Sequence, residues 1–218
     1  MNSYPTKEQY KSCLVARSYD RERFSSLSGR LFNVLEKMAI RRAVQAVRKC
    51  IHMPSVLDAP CGTGRIAEML LKMGLQVVGG DISAQMLEVA QRKCGGYAPC
   101  FRTKQIDLDC PDIPEASFDL VTCIRLFHHL NSAQRSAILC NLAKMTRRFV
   151  ILNVSYSSTW YRFRRRIKRR LGQGVSKASS TWREVLVESE AAGLRVSRCF
   201  FVLPIVSEDL VLLLEKCQ

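Results

Sequence analysis

Residues 56–65, Val-Leu-Asp-Ala-Pro-Cys-Gly-Thr-Gly-Arg, followed by residues 77–81, Val-Val-Gly-Gly-Asp, decide how this chain is read. A short apolar run from Ser55 to Leu57 reads as a buried strand that ends at Asp58. It leads into a turn in which Gly62 and Gly64 place no side chain in the way of a ligand. The turn opens a helix over 63–73, where Ile66, Ala67, Leu70 and Leu71 recur at helical spacing. A second apolar run then closes on a carboxylate, Asp81, 17 residues after Gly64. A glycine turn between strand and helix lets the backbone approach a nucleotide-like ligand, and an acidic residue about 20 positions on accepts from ribose hydroxyls. The dinucleotide form Gly-x-Gly-x-x-Gly is missing in either register: starting at position 60 the first glycine is replaced by Pro60, and starting at Gly62 the third is replaced by Ala67. The loop therefore points to a ligand that carries an adenosine but no phosphates.

Strand and helix signals alternate along the rest of the chain. Strands are expected near 55–58, 76–81, 100–106, 118–124 and 148–154, and helices near 63–73, 83–93, 132–145 and 182–192, the last stopped by Gly193. Residues 194–204 and 209–216 read as two closing strands. Such alternation predicts a parallel sheet with helices on both faces. The length, 218 residues, suits one α/β domain with a sizeable core. Ahead of it, residues 1–53 are polar and then helical, with Leu31, Val34, Leu35, Met38, Val44 and Val47 recurring as one apolar face.

Four stretches, in this order, resemble the class I S-adenosylmethionine-dependent methyltransferases, and most closely the broad type 11 group that includes quinone-biosynthesis C-methyltransferases. Leu57-Asp58-Ala59-Pro60-Cys61-Gly62-Thr63-Gly64 resembles the glycine loop beneath the methionine part of the cofactor. Gly80-Asp81-Ile82-Ser83-Ala84-Gln85-Met86-Leu87 resembles the ribose-binding strand end and the helix after it, and Ile106-Asp107-Leu108 resembles the adenine clamp. Ser117-Phe118-Asp119-Leu120-Val121 through Phe127-His128-His129-Leu130, with Pro114 in its expected place, resembles the fourth strand and its active-site exit. The resemblance implies an α/β fold: a Rossmann-like, doubly wound, seven-stranded sheet with an antiparallel C-terminal hairpin and an N-terminal helical cap. Residues 1–53 would be that cap. Residues 54–218 would be the cofactor-binding methyltransferase domain, with a basic insertion at 155–180.

The implied cofactor is S-adenosyl-L-methionine, with Asp58, Ala59, Pro60, Gly62, Gly64, Arg65, Asp81, Ile82, Met86, Asp107 and Leu108 around it. Asp58 would accept from loop amides or face the cofactor's ammonium group. Asp81 offers two oxygens to the two donors of a ribose diol. Asp107 would accept from the adenine amine while the Leu108 amide serves a ring nitrogen. Ile82 and Met86 would wall the adenine, although Met86 suits plain helix packing equally well.

In the same resemblance the residues past the fourth strand face the methyl acceptor. His129 is the candidate base, since an imidazole titrates near neutrality; packing or hydrogen bonding alone is its alternative role. Arg125 is placed to hold an anionic group through two parallel hydrogen bonds. Tyr19 and Arg23 are further candidates at the lip of the pocket. The Asn or Asp-Pro-Pro-aromatic motif of base amino methylation is absent after the fourth strand, which counts against base N-methylation.

Charge is the second informative feature. Lys plus Arg number 34 against 19 Asp plus Glu, a net charge of +15. Residues 160–171 read Trp-Tyr-Arg-Phe-Arg-Arg-Arg-Ile-Lys-Arg-Arg-Leu, with seven basic residues among 162–170. As a helix this segment aligns Trp160, Phe163, Ile167 and Leu171, a pattern suited to an anionic membrane surface. Each such cation contributes about 1 kcal/mol near acidic lipid. The same charges bind RNA phosphates, and a solvated insertion with its aromatics tucked inward is the third reading. The expected function is methyl transfer to a small-molecule or lipid-linked acceptor at an anionic membrane surface, with nucleic acid ranked behind as partner; an RNA-directed methyltransferase and a non-catalytic cofactor-binding subunit are the alternatives. No signal sets an oligomeric state. Residues 1–7 lack an apolar signal core and no run has transmembrane length, so a cytoplasmic protein, peripheral on the membrane, is expected. The ten cysteines form no Cys-x-x-Cys pair and no metal-ligand spacing, which predicts no metal and mostly buried, reduced thiols.

Overall fold

The computed structural model describes residues 26–155, 181–203 and 209–217. Its strands are β1 (Ser55–Asp58), β2 (Gln76–Asp81), β3 (Phe101–Gln105), β4 (Phe118–Cys123), β5 (Thr146–Ser155), β6 (Leu194–Phe201) and β7 (Asp209–Lys216). Its helices are α1 (Leu27–Arg48), α2 (Arg65–Lys72), α3 (Ala84–Cys94), α4 (Ser132–Met145) and α5 (Trp182–Ala191). The strands form one seven-stranded sheet in the order β3-β2-β1-β4-β5-β7-β6. β7 runs antiparallel to both of its neighbours, and the remaining pairs are parallel. The expected doubly wound sheet with an antiparallel end is therefore present.

Period-two alternation divides the strand side chains between two cores. Val56, Leu120, Ile151, Val211 and Leu213 join the helices α1, α2 and α3 on one face. Leu57, Val121, Leu152, Leu212 and Leu214 join α4 and α5 on the other. A strand buried on both faces reads as a continuous apolar run, which is the pattern of Leu210 to Leu214. At the sheet's end β6 carries exposed Arg195 and Arg198, charges that discourage pairing with another chain.

Local chemistry sets the helix starts. Asn131 and Gln134 form a reciprocal capping box at α4, and Thr181 with Glu184 forms another at α5. Ser83 caps α3 by accepting from the Met86 amide, and Ser26 caps α1 by accepting from that of Gly29. Each such cap is worth about 1 kcal/mol.

α1 departs from the expected apolar face. Val44 and Val47 are buried as expected and Leu35 packs against the core, but Leu31, Val34 and Met38 are exposed, and Glu36, Ala39, Ile40 and Ala43 are buried in their place. The helix carries two apolar stripes, and the one with Ala39 and Ala43 wins because small side chains let the helix axis approach the sheet. Thiol burial differs too: Cys61, Cys94 and Cys123 are buried, but Cys50, Cys100, Cys110, Cys199 and Cys217 are exposed. Most of the exposed ones stand at element ends and loops, and Cys199 is on the edge strand. The helix expected over 160–171, the lip candidates Tyr19 and Arg23, and the first part of the cap all lie outside the described residues.

Candidate active site

β1 lies between β2 and β4, so the chain winds away in opposite directions on its two sides. Open α/β sheets bind ligands at that switch point, beyond the carboxyl ends of the strands. Asp58 and Asp81 are the last residues of β1 and β2, Asp107 lies two past β3, and Arg125 two past β4.

Asp58 is fully buried. Its Oδ1 accepts from Thr122 Oγ1 at 2.7 Å, while its Oδ2 is buried without a hydrogen-bond partner among the described residues. Burial pushes the carboxyl up to about 7, against the opposing pull of the Thr122 bond, the Arg65 charge and the Ala67 amide. A buried acceptor left unmade costs about 1–3 kcal/mol, so this oxygen calls for a donor from a ligand. Asp81 accepts from the Gly62 amide at 2.8 Å through Oδ2 and from the Ser83 amide at 3.0 Å through Oδ1. Burial raises its pKa, and those amides hold the rise back. Each oxygen keeps lone-pair capacity for a further donor.

The two loop glycines differ in purpose. At Gly62, φ is +53° and an added Cβ meets nothing within 4 Å, so the space above the turn is open. At Gly64, φ is +77° and a Cβ would sit 3.1 Å from Ala90, where α2 and α3 pack closest. Cys61 lies between the glycine turn and Gly79, and its thiol pKa is raised by burial and by the nearby Asp81 and Asp58 charges, which keeps it inert.

On the other side of Asp81, the Ile106 amide donates to the Asp81 carbonyl at 3.0 Å, aligning the 106–108 loop with β2. Asp107 Oδ1 accepts from the Asp109 amide at 3.0 Å. Asn141 of α4 braces the same loop by donating to the Leu108 carbonyl at 2.9 Å. Met86 and Leu108 are buried and Ile82 is half-buried beside them.

Arg65 turns toward the cap helix: its guanidinium meets Asn33 Oδ1 at 2.7 Å and Glu36 Oε2 at 2.7 Å. Ala59 is buried and ties to β4 through a 2.9 Å bond to the Thr122 carbonyl, and the peptide joining it to Pro60 is cis.

The residues beyond β4 form one polar cluster with α1 and β5. Arg125 adopts φ +67°, rare for a side-chain-bearing residue, and is held from several directions. Its amide donates to Asn153 Oδ1 at 2.6 Å, its Nε meets Glu36 Oε1 at 3.0 Å, and its guanidinium lies over the Phe32 ring at 4.9 Å. Asn153 Nδ2 donates to Glu36 Oε1 at 3.3 Å and lies 3.1 Å from His128 Nε2. Ser155 Oγ is 3.0 Å from His128 Nδ1, and Asp209 Oδ1 is 3.5 Å from Nε2. His129, by contrast, makes a backbone bond to the Leu126 carbonyl within the short 3₁₀ turn Phe127–His129. The structure thus joins Arg125 to His128 and brings in Glu36, Asn153 and Asp209, which sequence reasoning passed over. Two signals were available: a lone acidic residue on the Ile40–Val47 side of α1, and an amide inside an apolar strand.

The fold, the glycine turn and the carboxylates at successive strand ends define a class I, Rossmann-like methyltransferase architecture. Residues 56–148 match the family described as "Methyltransferase domain". The chloroplastic magnesium protoporphyrin IX methyltransferase of Arabidopsis thaliana is 28% identical over 128 residues, 59% of this chain and 41% of that protein. The chain therefore spans less than half the length of that relative. The demethylmenaquinone methyltransferase of Tropheryma whipplei (strain Twist) is 27% identical over 198 residues, 87% of this chain and 78% of that one. The crystal structure of magnesium protoporphyrin IX methyltransferase from Synechocystis PCC 6803 with bound SAH superposes with a TM-score of 0.78 at 19% identity, covering 97% of this chain and 98% of that one. The family match thus covers under half of this chain, residues 56–148, and the relatives that share it are methyltransferases. The residues present fit S-adenosylmethionine: among the described residues nothing donates to Asp58 Oδ2, Gly62 leaves space, and Asp81 retains acceptor capacity.

Proposed function

We propose that this protein transfers a methyl group from S-adenosylmethionine to a small organic acceptor, working peripherally at an anionic membrane surface in the cytoplasm. The observation that carries the reading is the pairing of two sites along one sheet edge: Asp58, Gly62 and Asp81 on one side, and Arg125, His128 and Asn153 on the other. Asp58, Ala59, Pro60, Gly62 and Gly64 would hold the amino-acid end of the cofactor, Asp81 its ribose, and Ile82, Met86, Asp107 and Leu108 its adenine. When bound, the cofactor supplies an electrophilic methyl carbon on a sulfonium, so the protein's task is chiefly alignment.

Arg125 would orient an anionic or strongly polar group of the acceptor. With Asn153 Nδ2 donating to Nε2, His128 carries its proton on Nδ1 toward Ser155. To act as the base Nε2 would exchange the Asn153 bond for the acceptor's proton, with Asp209 Oδ1 3.5 Å away as counter-charge. His129 is the second candidate for the base. Relatives named for magnesium protoporphyrin IX and demethylmenaquinone suggest a small-molecule acceptor, and a lipid-linked one fits the same reading. Residues 1–53 are read as a cap on the methyltransferase domain of 54–218, with α1 its described part.

Support for the membrane surface comes from α1. Leu27, Leu31, Val34 and Met38, exposed by 84%, 58%, 54% and 43%, form a stripe at spacings of four and three. Exposed Arg30, Arg41 and Arg42 flank it on a chain of net charge +15. An apolar stripe with cationic borders suits the headgroup boundary of acidic lipid. Among the described residues no helix is long and apolar enough to cross a membrane.

The test begins with titration calorimetry of S-adenosylhomocysteine, for which the reading expects saturable binding. Methyl-labelled S-adenosylmethionine is then offered with porphyrin carboxylates, quinols, lipid-linked phenols and total RNA, with and without phosphatidylglycerol vesicles. Label in a small acceptor, enhanced by the vesicles, is expected. Label in RNA alone would replace this reading with an RNA-directed enzyme, and absence of S-adenosylhomocysteine binding would remove it.

A further inference from the structure

One fully buried carboxylate joins the two halves of the site. Glu36 of α1 is 0% exposed and meets guanidiniums from two different strand-end loops. Arg65, which directly follows the cofactor-loop glycine Gly64, reaches Oε2 at 2.7 Å. Arg125, beyond β4, reaches Oε1 at 3.0 Å and Oε2 at 3.3 Å. Asn153 of β5 adds a third donor at 3.3 Å while its own Oδ1 holds the Arg125 amide. A carboxylate at this depth is tolerated because each oxygen is bonded to a charged donor. Arg125 keeps its left-handed backbone for a related reason, since such a conformation persists only where surrounding contacts over-determine it.

We propose that Glu36 is a positioning residue: it fixes Arg65 at the cofactor loop and Arg125 at the acceptor end in one relation, so that the two halves of the site are energetically coupled through the cap helix. The inference rests on the methyltransferase reading and adds a residue to it. Glu36 touches neither reacting partner in this scheme. Its effect passes through the two arginines, and its carboxylate links a perturbation at Arg125 to Arg65 beside the cofactor loop.

The full-length protein and its Glu36→Gln, Arg125→Gln and Glu36→Gln/Arg125→Gln variants test this, with S-adenosylhomocysteine affinity read by calorimetry and apo stability by thermal melting. Glu36→Gln should weaken S-adenosylhomocysteine about tenfold, the scale set by bonds to charged groups. Arg125→Gln should weaken it about threefold, and the double variant no more than Glu36→Gln alone, because coupled sites are non-additive. Unchanged affinity with a lowered melting temperature would show a structural role only and overturn the proposal, as would strictly additive losses. Should Glu36→Gln fail to fold, the double variant, which strands one charge fewer, is compared with Arg125→Gln. Binding by the double variant about threefold weaker than by Arg125→Gln supports the coupling, whereas equal binding, or a further loss of tenfold or more, overturns it. If the wild type does not bind S-adenosylhomocysteine, the methyltransferase reading itself falls; if it binds and Glu36→Gln binds equally, only this inference does.

Discussion

Thr122 Oγ1 donates to Asp58 Oδ1 over 2.7 Å, and the second oxygen of the same carboxyl is buried without a hydrogen-bond partner among the described residues. The strand pair β1–β4 therefore holds a half-satisfied acid where open α/β sheets bind their ligands.

Its titration gives a first prediction. Burial pushes Asp58 up to about 7 from an ordinary 3.8, and raises Asp81 as well. Between those two values the folded carboxyl keeps a proton that the unfolded chain has released, so apo stability should fall as pH rises through that window and level off above it. Cofactor binding has the opposite sign, because a ligand ammonium favours the ionised acid. Affinity for S-adenosylhomocysteine should drop by up to about tenfold per pH unit below pH 7, with net proton release on binding. Calorimetry in two buffers of different ionisation enthalpy measures both. Affinity that is flat with pH and free of proton release would contradict the assignment of Asp58.

The glycines of the turn should separate stability from binding. Gly64→Ala combines a left-handed backbone with a 3.1 Å approach to Ala90 and should cost about 2–4 kcal/mol of stability in urea unfolding. Gly62→Ala meets nothing within 4 Å, so only the backbone strain of about 1–2 kcal/mol applies. Its methyl instead enters the space assigned to the cofactor, and S-adenosylhomocysteine affinity should fall tenfold or more. Equal binding by Gly62→Ala and wild type would place the cofactor elsewhere.

Away from the site, Arg135 and Glu188 form a buried pair joining α4 to α5, with Arg135 Nη2 2.7 Å from Glu188 Oε1 and Ser132 Oγ 2.9 Å from the same oxygen. Glu188→Ala strands the guanidinium and should destabilise the protein by about 3–5 kcal/mol, whereas Arg135→Met/Glu188→Leu should regain most of that loss. Chemical denaturation of the three proteins decides it.

The two adjacent histidines make the fourth prediction. Loss of the His128 imidazole, as His128→Ala, should cut turnover of any acceptor found in the labelling screen by about 100-fold, the lower range for a general base. S-adenosylhomocysteine affinity should stay within about twofold, since only the acceptor side changes. A larger loss from His129→Ala than from His128→Ala would return the base role to His129.

Much of the cofactor half was legible from local pattern. β1, β2 and α4 begin and end where the alternation, the glycines and the Asn131 cap say they should, because those signals lie within one element. The acceptor half depends on residues 36, 125, 153 and 209, which only the order of the strands brings together. α1 was legible at Val44 and Val47 but not in its first half: Leu31, Val34 and Met38 are more hydrophobic than Ala39 and Ala43, yet proximity to the sheet is decided by size. A lone glutamate on the buried side of that helix was the available clue to the cluster.

Position in the sheet and position in the chain disagree for β7, and protein synthesis must contend with that. Residues 209–216 follow β6 in sequence, but they fill the slot between β5 and β6. Until the ribosome has released them, β5 presents Phe149 to Val154 along an unpaired edge, and β6 has no strand to join. A nascent chain halted before Asp209 would carry the whole cofactor loop yet expose a long apolar edge, a template for pairing with other chains. Completion of the sheet therefore waits on a late strand, since β7 supplies the pairing for both β5 and β6.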